Sequence, residues 1–216
     1  MIFLKDMKTY FLIFFILFQI LFSKKGASQT DNDTILLLNG AVVVTTVIDT
    51  TNGTTVFKNP KNPKKTLAVE NERIFSISNK KGEFLIYEYD TIVGNEFTIE
   101  EMRYFIKGEQ DAQKNFKARG AFWTNLLIGA GAGVTGSLLS PIAPFAFSAI
   151  VGLPKIKIKK KCVSNIEYLK QDAYLMGYER VGRKKRKIKS LIGGVTGLGV
   201  GLGTYFILKA NDSELY

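Results

Sequence analysis

The chain sorts into blocks by the spacing of its apolar side chains. Between Thr34 and Tyr89, β-branched and aromatic residues alternate with polar ones, the period of a half-buried strand. Asn39-Gly40 and Asn52-Gly53 interrupt that alternation with the pair best suited to the positive φ angles of a tight hairpin. The pattern predicts strands over Thr34 to Leu38, Ala41 to Asp49, Thr54 to Phe57, Leu67 to Val69, Arg73 to Ile77 and Glu83 to Tyr89, with a loop around Pro60 and Pro63. Residues 29–97 thus read as a small, strongly curved antiparallel β domain, SH3-like or a comparable small barrel. A core of that size is marginal alone, so the next segment is expected to pack on it.

At Thr98 the period changes. Thr98 and Glu101 have the spacing of a capping box, and Ile99, Met102, Phe105, Ile106, Ala112 and Phe116 follow at helical intervals, predicting an amphipathic helix over 98–120. Within it, Gly108-Glu109-Gln110-Asp111 reads as a bend on a solvated face.

Two later blocks, 121–153 and 190–208, lack any ionisable side chain and are rich in glycine. In water each glycine destabilises a helix by roughly 1 kcal/mol relative to Ala. In lipid, unpaired backbone groups are so costly that the helix is kept, and glycines four apart let two backbones touch. Gly129 with Gly133, and Gly193 with Gly197 and Gly201, are the expected helix-packing positions. A helix over 190–208 rises about 28 Å at ~1.5 Å per residue, close to the ~30 Å of a hydrocarbon core. The first block is longer and is interrupted at Ser140-Pro141 and Pro144, so a crossing over 121–140 and a re-entrant or interfacial remainder are expected, with Phe122 and Trp123 at the interface. The expected fold class is α+β: the β domain, the amphipathic helix, then a Gly-rich transmembrane helical hairpin and a short tail over 209–216. Gly131-Ala-Gly133-Val-Thr-Gly136 matches a dinucleotide fingerprint in letters, but no strand precedes it and no acidic residue follows at the required distance.

Charge sharpens this picture. Between Lys155 and Lys189 stand 13 Lys or Arg against Glu167, Asp172 and Glu179, nearly the whole net charge of +11. Lys and Arg gather on the cytoplasmic side of spanning helices, so 154–189 reads as a cytoplasmic connector with a helix over Asn165 to Tyr178. Lys159, Lys160, Lys161, Arg183, Lys184, Lys185, Arg186 and Lys187 are assigned to topology and anionic lipid headgroups. Nucleic acid is not expected as a partner: residues 29–120 carry 12 basic against 13 acidic side chains, and the densest cationic runs lack interleaved aromatics. Lys5 and Lys8 ahead of an apolar run from Tyr10 to Phe22, then Gly26, Ala27 and Ser28, read as a signal peptide over 1–28. Lys24 and Lys25 keep a retained anchor as the competing reading. The expected location is the inner membrane with the β domain periplasmic, the outer membrane being the alternative.

With no His and a single thiol, Cys162, the usual nucleophile–base pairs and zinc sets are excluded, as is an internal disulfide. No catalytic residue, cofactor or metal is expected. The run Gly108 to Ala112, Ser140-Pro141 with Pro144, and Gly177-Tyr178 through Arg183-Lys-Lys-Arg-Lys187 into Ile192-Gly193-Gly194 together resemble a family of uncharacterised exported proteins of Bacteroidetes. The resemblance implies this order of parts and no activity. The sequence thus favours a non-enzymatic cell-envelope protein that binds or scaffolds, with membrane lipids as partners and either homo-oligomerisation through the Gly193, Gly197 and Gly201 face or an envelope protein partner. Competing readings are a pore or transport accessory, and an enzyme using Glu100, Glu101, Glu109 or Asp111.

Overall fold

The computed structural model describes residues 32–90 and 96–213. The signal peptide expected over 1–28 lies outside the described residues. Over the described residues the fold is α+β: two small antiparallel sheets and four α-helices, the last of them long and apolar.

One sheet has the order β2-β1-β6-β7, with β1 Asp33–Leu37, β2 Val42–Thr45, β6 Ile74–Asn79 and β7 Gly82–Leu85. The other has the order β3-β4-β5, with β3 Val47–Asp49, β4 Thr54–Asn59 and β5 Asn62–Glu70. The run expected as one strand from Ala41 to Asp49 is therefore divided at Thr46 between two sheets. Side chains hold the bend: Asp33 accepts from the Val47 amide (2.8 Å), and the Thr45 hydroxyl donates to the Lys58 carbonyl. Gly40 and Gly53 adopt φ of 74° and 71°, and Asn52 58°, as the hairpin pairs require. β5 is longer than the sequence indicates and takes in Pro63. Proline is tolerated there because β5 is an edge strand and its missing N–H needs no ladder partner. A 3-10 turn, Asn71–Arg73, leads into β6.

Ile35, Phe57, Ile74 and Ile77 fill the space inside the strands. On the opposite face of β6, Phe75 joins Tyr87, Met102, Phe105, Ile106 and Ala173 against helix α1, Ile99–Asn115. The capping box at its start is present: Thr98 Oγ1 accepts from the Glu101 amide and Glu101 accepts from the Thr98 amide. The expected bend at Gly108 and solvated face are corrected here. α1 is unbroken, and Gly108, Glu109 and Asp111 are buried. A Cβ on Gly108 would fall 2.9 Å from the Tyr178 nitrogen, so glycine marks where α1 presses on another backbone.

That other backbone is α4, Asp172–Ser213, a single helix of 42 residues. The connector expected over 154–189 therefore ends at Gln171: its first part contains short 3-10 turns at Lys160–Cys162 and Ile166–Lys170, and the Arg183 to Lys187 cluster is helical. Ahead of it come α2, Arg119–Val134, and α3, Ile142–Ile150; the crossing expected over 121–140 is thus a helix that stops at Val134, and Ser140-Pro141 stands at the start of α3 rather than at the end of α2. Gly136, at φ 62°, turns the chain out of α2.

Candidate membrane interface

The apolar helices are packed with small residues inward and large ones outward. On α2, Asn125, Gly129 and Gly133 are buried; on α4, Gly193, Gly194, Gly197, Leu198 and Gly201 are. A Cβ on Gly197 would fall 2.9 Å from the Ala130 nitrogen, one on Gly133 2.8 Å from the Leu198 carbonyl oxygen, and one on Gly201 2.8 Å from the Gly133 Cα. Gly129 meets Leu198 and Gly193 meets Phe122 in the same way. Backbone therefore lies on backbone along the whole contact, an approach that any side chain would forbid.

The order of these contacts fixes direction. Phe122, Leu126 and Ala130 meet Gly193, Gly197 and Gly201 in turn, both series rising together, so α2 and α4 run parallel. α1 continues the same alignment lower down, where Phe105 meets Gly177. α3 runs the other way, Pro144 against Gly194 and Gly152 against Lys187. The β domain and the basic connector consequently lie at one end of the apolar helices. This corrects the hairpin with its two flanks on opposite sides: α3 carries the chain back before α4 begins. It also removes the surface expected for self-association, because Gly193, Gly197 and Gly201 are covered by α2 of the same chain.

A polar knot fastens the three helices. The buried Asn125 amide donates to the Ser190 carbonyl (2.8 Å), Ser148 Oγ (2.9 Å) and the Pro144 carbonyl (3.1 Å). Outside, Trp123, Leu127, Leu138, Leu139, Phe145, Val200 and Phe206 are exposed, Leu138 to 98%. α4 is long and apolar enough to cross a membrane, and only 28% of its apolar window is buried. The core helix of a water-soluble globule hides most of such a window.

The cationic cluster proves to be two populations. Lys185 Nζ donates to the carbonyls of Ala112 (3.1 Å), Gln113 and Phe116 (3.4 Å), capping the C-terminus of α1. Arg186 caps α3 through Val151 and Pro154, and Arg183 pairs with Glu179 at 2.9 Å. These three, expected at lipid headgroups, hold the scaffold; Lys184 and Lys187 remain exposed, as do Lys159, Lys160 and Lys161. The sequence reading missed Lys114, Lys117 and Arg119. They follow one another around the junction of α1 and α2, where they meet Lys157, Lys159 and Lys161 across one depression and Lys189 across the next. Their separation in sequence hid the convergence.

Two buried carboxylates flank this end of the molecule. Asp111 accepts from Tyr174 Oη (2.7 Å), Ser164 Oγ (2.7 Å) and the Ser164 amide (2.8 Å), tying α1 to α4 and the connector. Glu109, 2% exposed, has Arg180 at 3.6 Å, while its Oε2 has no hydrogen-bond partner. Burial pushes the Glu109 carboxyl above its ordinary range, against the pull of Arg180 and Lys184. Among the described residues no group of His, Cys, Asp or Glu is placed to hold a metal ion.

No family model, curated protein or solved structure matches the chain.

Proposed function

We propose that the chain is a bilayer-anchored cell-envelope protein, α2, α3 and the second half of α4 lying in lipid and the rest forming a head that acts by binding or scaffolding. The single observation that carries this reading is the inside-out packing of those helices, large apolar side chains outward and glycine with the Asn125 knot inward. The strand order supports an SH3-like barrel for the head: a bent strand shared by two sheets, a 3-10 turn before β6, and β6 closing on β1. Against a single-chain pore stands the tightness of the helix contacts; the depression between Pro144, Leu191, Gly194 and Leu198 has no room for water.

With head and cations at one end, the preference of Lys and Arg for the cytoplasm applies to both. The reading is an inner-membrane protein whose basic end and β domain face the cytoplasm together, which sets aside the cleaved export signal over 1–28. A periplasmic head is set aside with the two-sided hairpin it depended on. Fractionation tests the anchoring: the full chain should stay with membranes through a high-salt and alkaline wash and leave them only with detergent. Release by salt alone sinks it.

A further inference from the structure

The geometry points to a discrete site for one phospholipid with a phosphomonoester headgroup, at the mouth of the groove where α1 gives way to α2. This rests on the anchoring proposed above and names a ligand for that same interface. The groove has a volume of ≈ 630 Å³ and lies beside Phe122 and Gly193, where the charge-free stretches of α2 and α4 begin. Its polar wall is Lys114, Lys117, Arg119 and Lys189 with the helix-capping Lys185; a second depression of ≈ 500 Å³ shares the first three and adds Lys157, Lys159 and Lys161, which makes seven cations besides Lys185. No carboxylate lines either space, and no hydrogen bond or ion pair engages these seven side chains among the described residues. So many uncompensated cations around one concavity repel one another, and a dianion relieves that repulsion.

A second feature sits at the same spot. α2 begins at Arg119 with Ala118 as its N-cap; no side chain caps it and no acidic residue lies in its first turn. Ala118 and Arg119 line the groove, so the uncapped start of α2 and the positive end of its dipole lie at the polar wall, a setting that favours phosphate oxygens. The other wall is apolar: Phe122, Trp123, 60% exposed, and Ile188, 47% exposed. A free phosphate would leave that wall bare. An acyl chain covers it, running from the headgroup along α2 into the bilayer, and this is why a lipid rather than a soluble anion is the occupant.

Trp123 is the only tryptophan, so its fluorescence reports this groove alone. The full chain in phosphatidylcholine nanodiscs is titrated with brominated phosphatidic acid or brominated phosphatidylcholine as quenchers. Phosphatidic acid should quench at a mole fraction about tenfold lower. The double variant Lys117→Gln/Arg119→Gln, and independently Lys114→Gln/Lys157→Gln, should abolish the preference while far-UV circular dichroism is unchanged; Lys64→Gln/Lys65→Gln on β5 should leave it intact. Equal quenching by both lipids, or a preference that survives both groove variants, overturns the site. Reversal of the quenching by millimolar inorganic phosphate overturns the lipid in favour of a soluble anion, and reversal by a single-stranded oligonucleotide does so in favour of nucleic acid. Absence of quenching even by brominated phosphatidylcholine instead sinks the bilayer anchoring, and this proposal with it.

Discussion

Gly197 lies so close to Ala130 that a Cβ added to it would stand 2.9 Å from the Ala130 nitrogen. Two residues further on, Gly199 has nothing within 4 Å of the same virtual atom. One helix thus carries two kinds of glycine, one kind required by packing and the other not.

Gly197→Ala should therefore lower the thermal stability of the detergent-solubilised protein by the 1–3 kcal/mol typical of overpacking, about the same range whether α2 shifts or bends. Gly199→Ala should be neutral or raise stability by up to about 1 kcal/mol, the gain in helix propensity. Light scattering on the same samples should show the same oligomer size for Gly197→Ala and the parent, since the face is used within one chain.

Head and connector share one end of the helices, so Cys162 and a cysteine placed by Lys64→Cys on the exposed β5 must report the same compartment. An impermeant thiol reagent applied to intact cells should leave both unlabelled, and permeabilisation should expose both. Labelling of one without the other contradicts the parallel course of α2 and α4.

Asp111 accepts three hydrogen bonds, and removing a donor leaves a buried charge less well satisfied. Tyr174→Phe should cost about 1–3 kcal/mol of stability, and Ser164→Ala a similar or smaller amount. Asp111→Ala combined with Tyr174→Phe should cost less than the sum of the single changes, because the two groups are bonded to each other. Chemical denaturation of the four proteins checks the coupling.

Glu109 titrates higher in the folded chain than in the unfolded one, because burial disfavours its charge. Between the ordinary carboxylate value of 4.5 and the raised folded value, the native state holds more protons than the unfolded state, so stability falls as pH rises through that interval. Glu109→Gln removes the penalty and gives up only an ion pair to Arg180, whose side chain is 68% exposed. The variant should melt higher than the parent at pH 7–8, with the difference shrinking as pH approaches 4.5. A parent that gains stability on going from pH 5 to pH 8 relative to Glu109→Gln contradicts this.

Much of the fold is written in local signals. Asn39-Gly40 and Asn52-Gly53 place two hairpins, Thr98 and Glu101 open α1, and Ser140-Pro141 marks the start of α3. Those features act within a few residues of themselves, so a reader of the chain can see them. What stayed hidden is relational. Glycine spacing shows which face of a helix is narrow but not which partner fills it, nor whether that partner runs parallel; the short return of α3 decides that. Gly108 looked like a bend because its contact, Tyr174, lies far along the chain. The run Arg183 to Lys187 looked like one patch because side-chain destinations are not in the spacing: Lys185 and Arg186 turn to helix ends, while the exposed basic wall borrows Lys114, Lys117 and Arg119 from elsewhere.

The unbroken course of α4 has a mechanical consequence. At ~1.5 Å per residue its 42 residues make a stiff rod about 63 Å long. Its lower half is clamped to the β domain through α1, and its upper half is the part proposed to meet lipid. There is no hinge between the two, so if the upper half lies in lipid as proposed, whatever sets the lean of the rod also sets the height and attitude of the β domain above the surface, and the head follows local bilayer thickness.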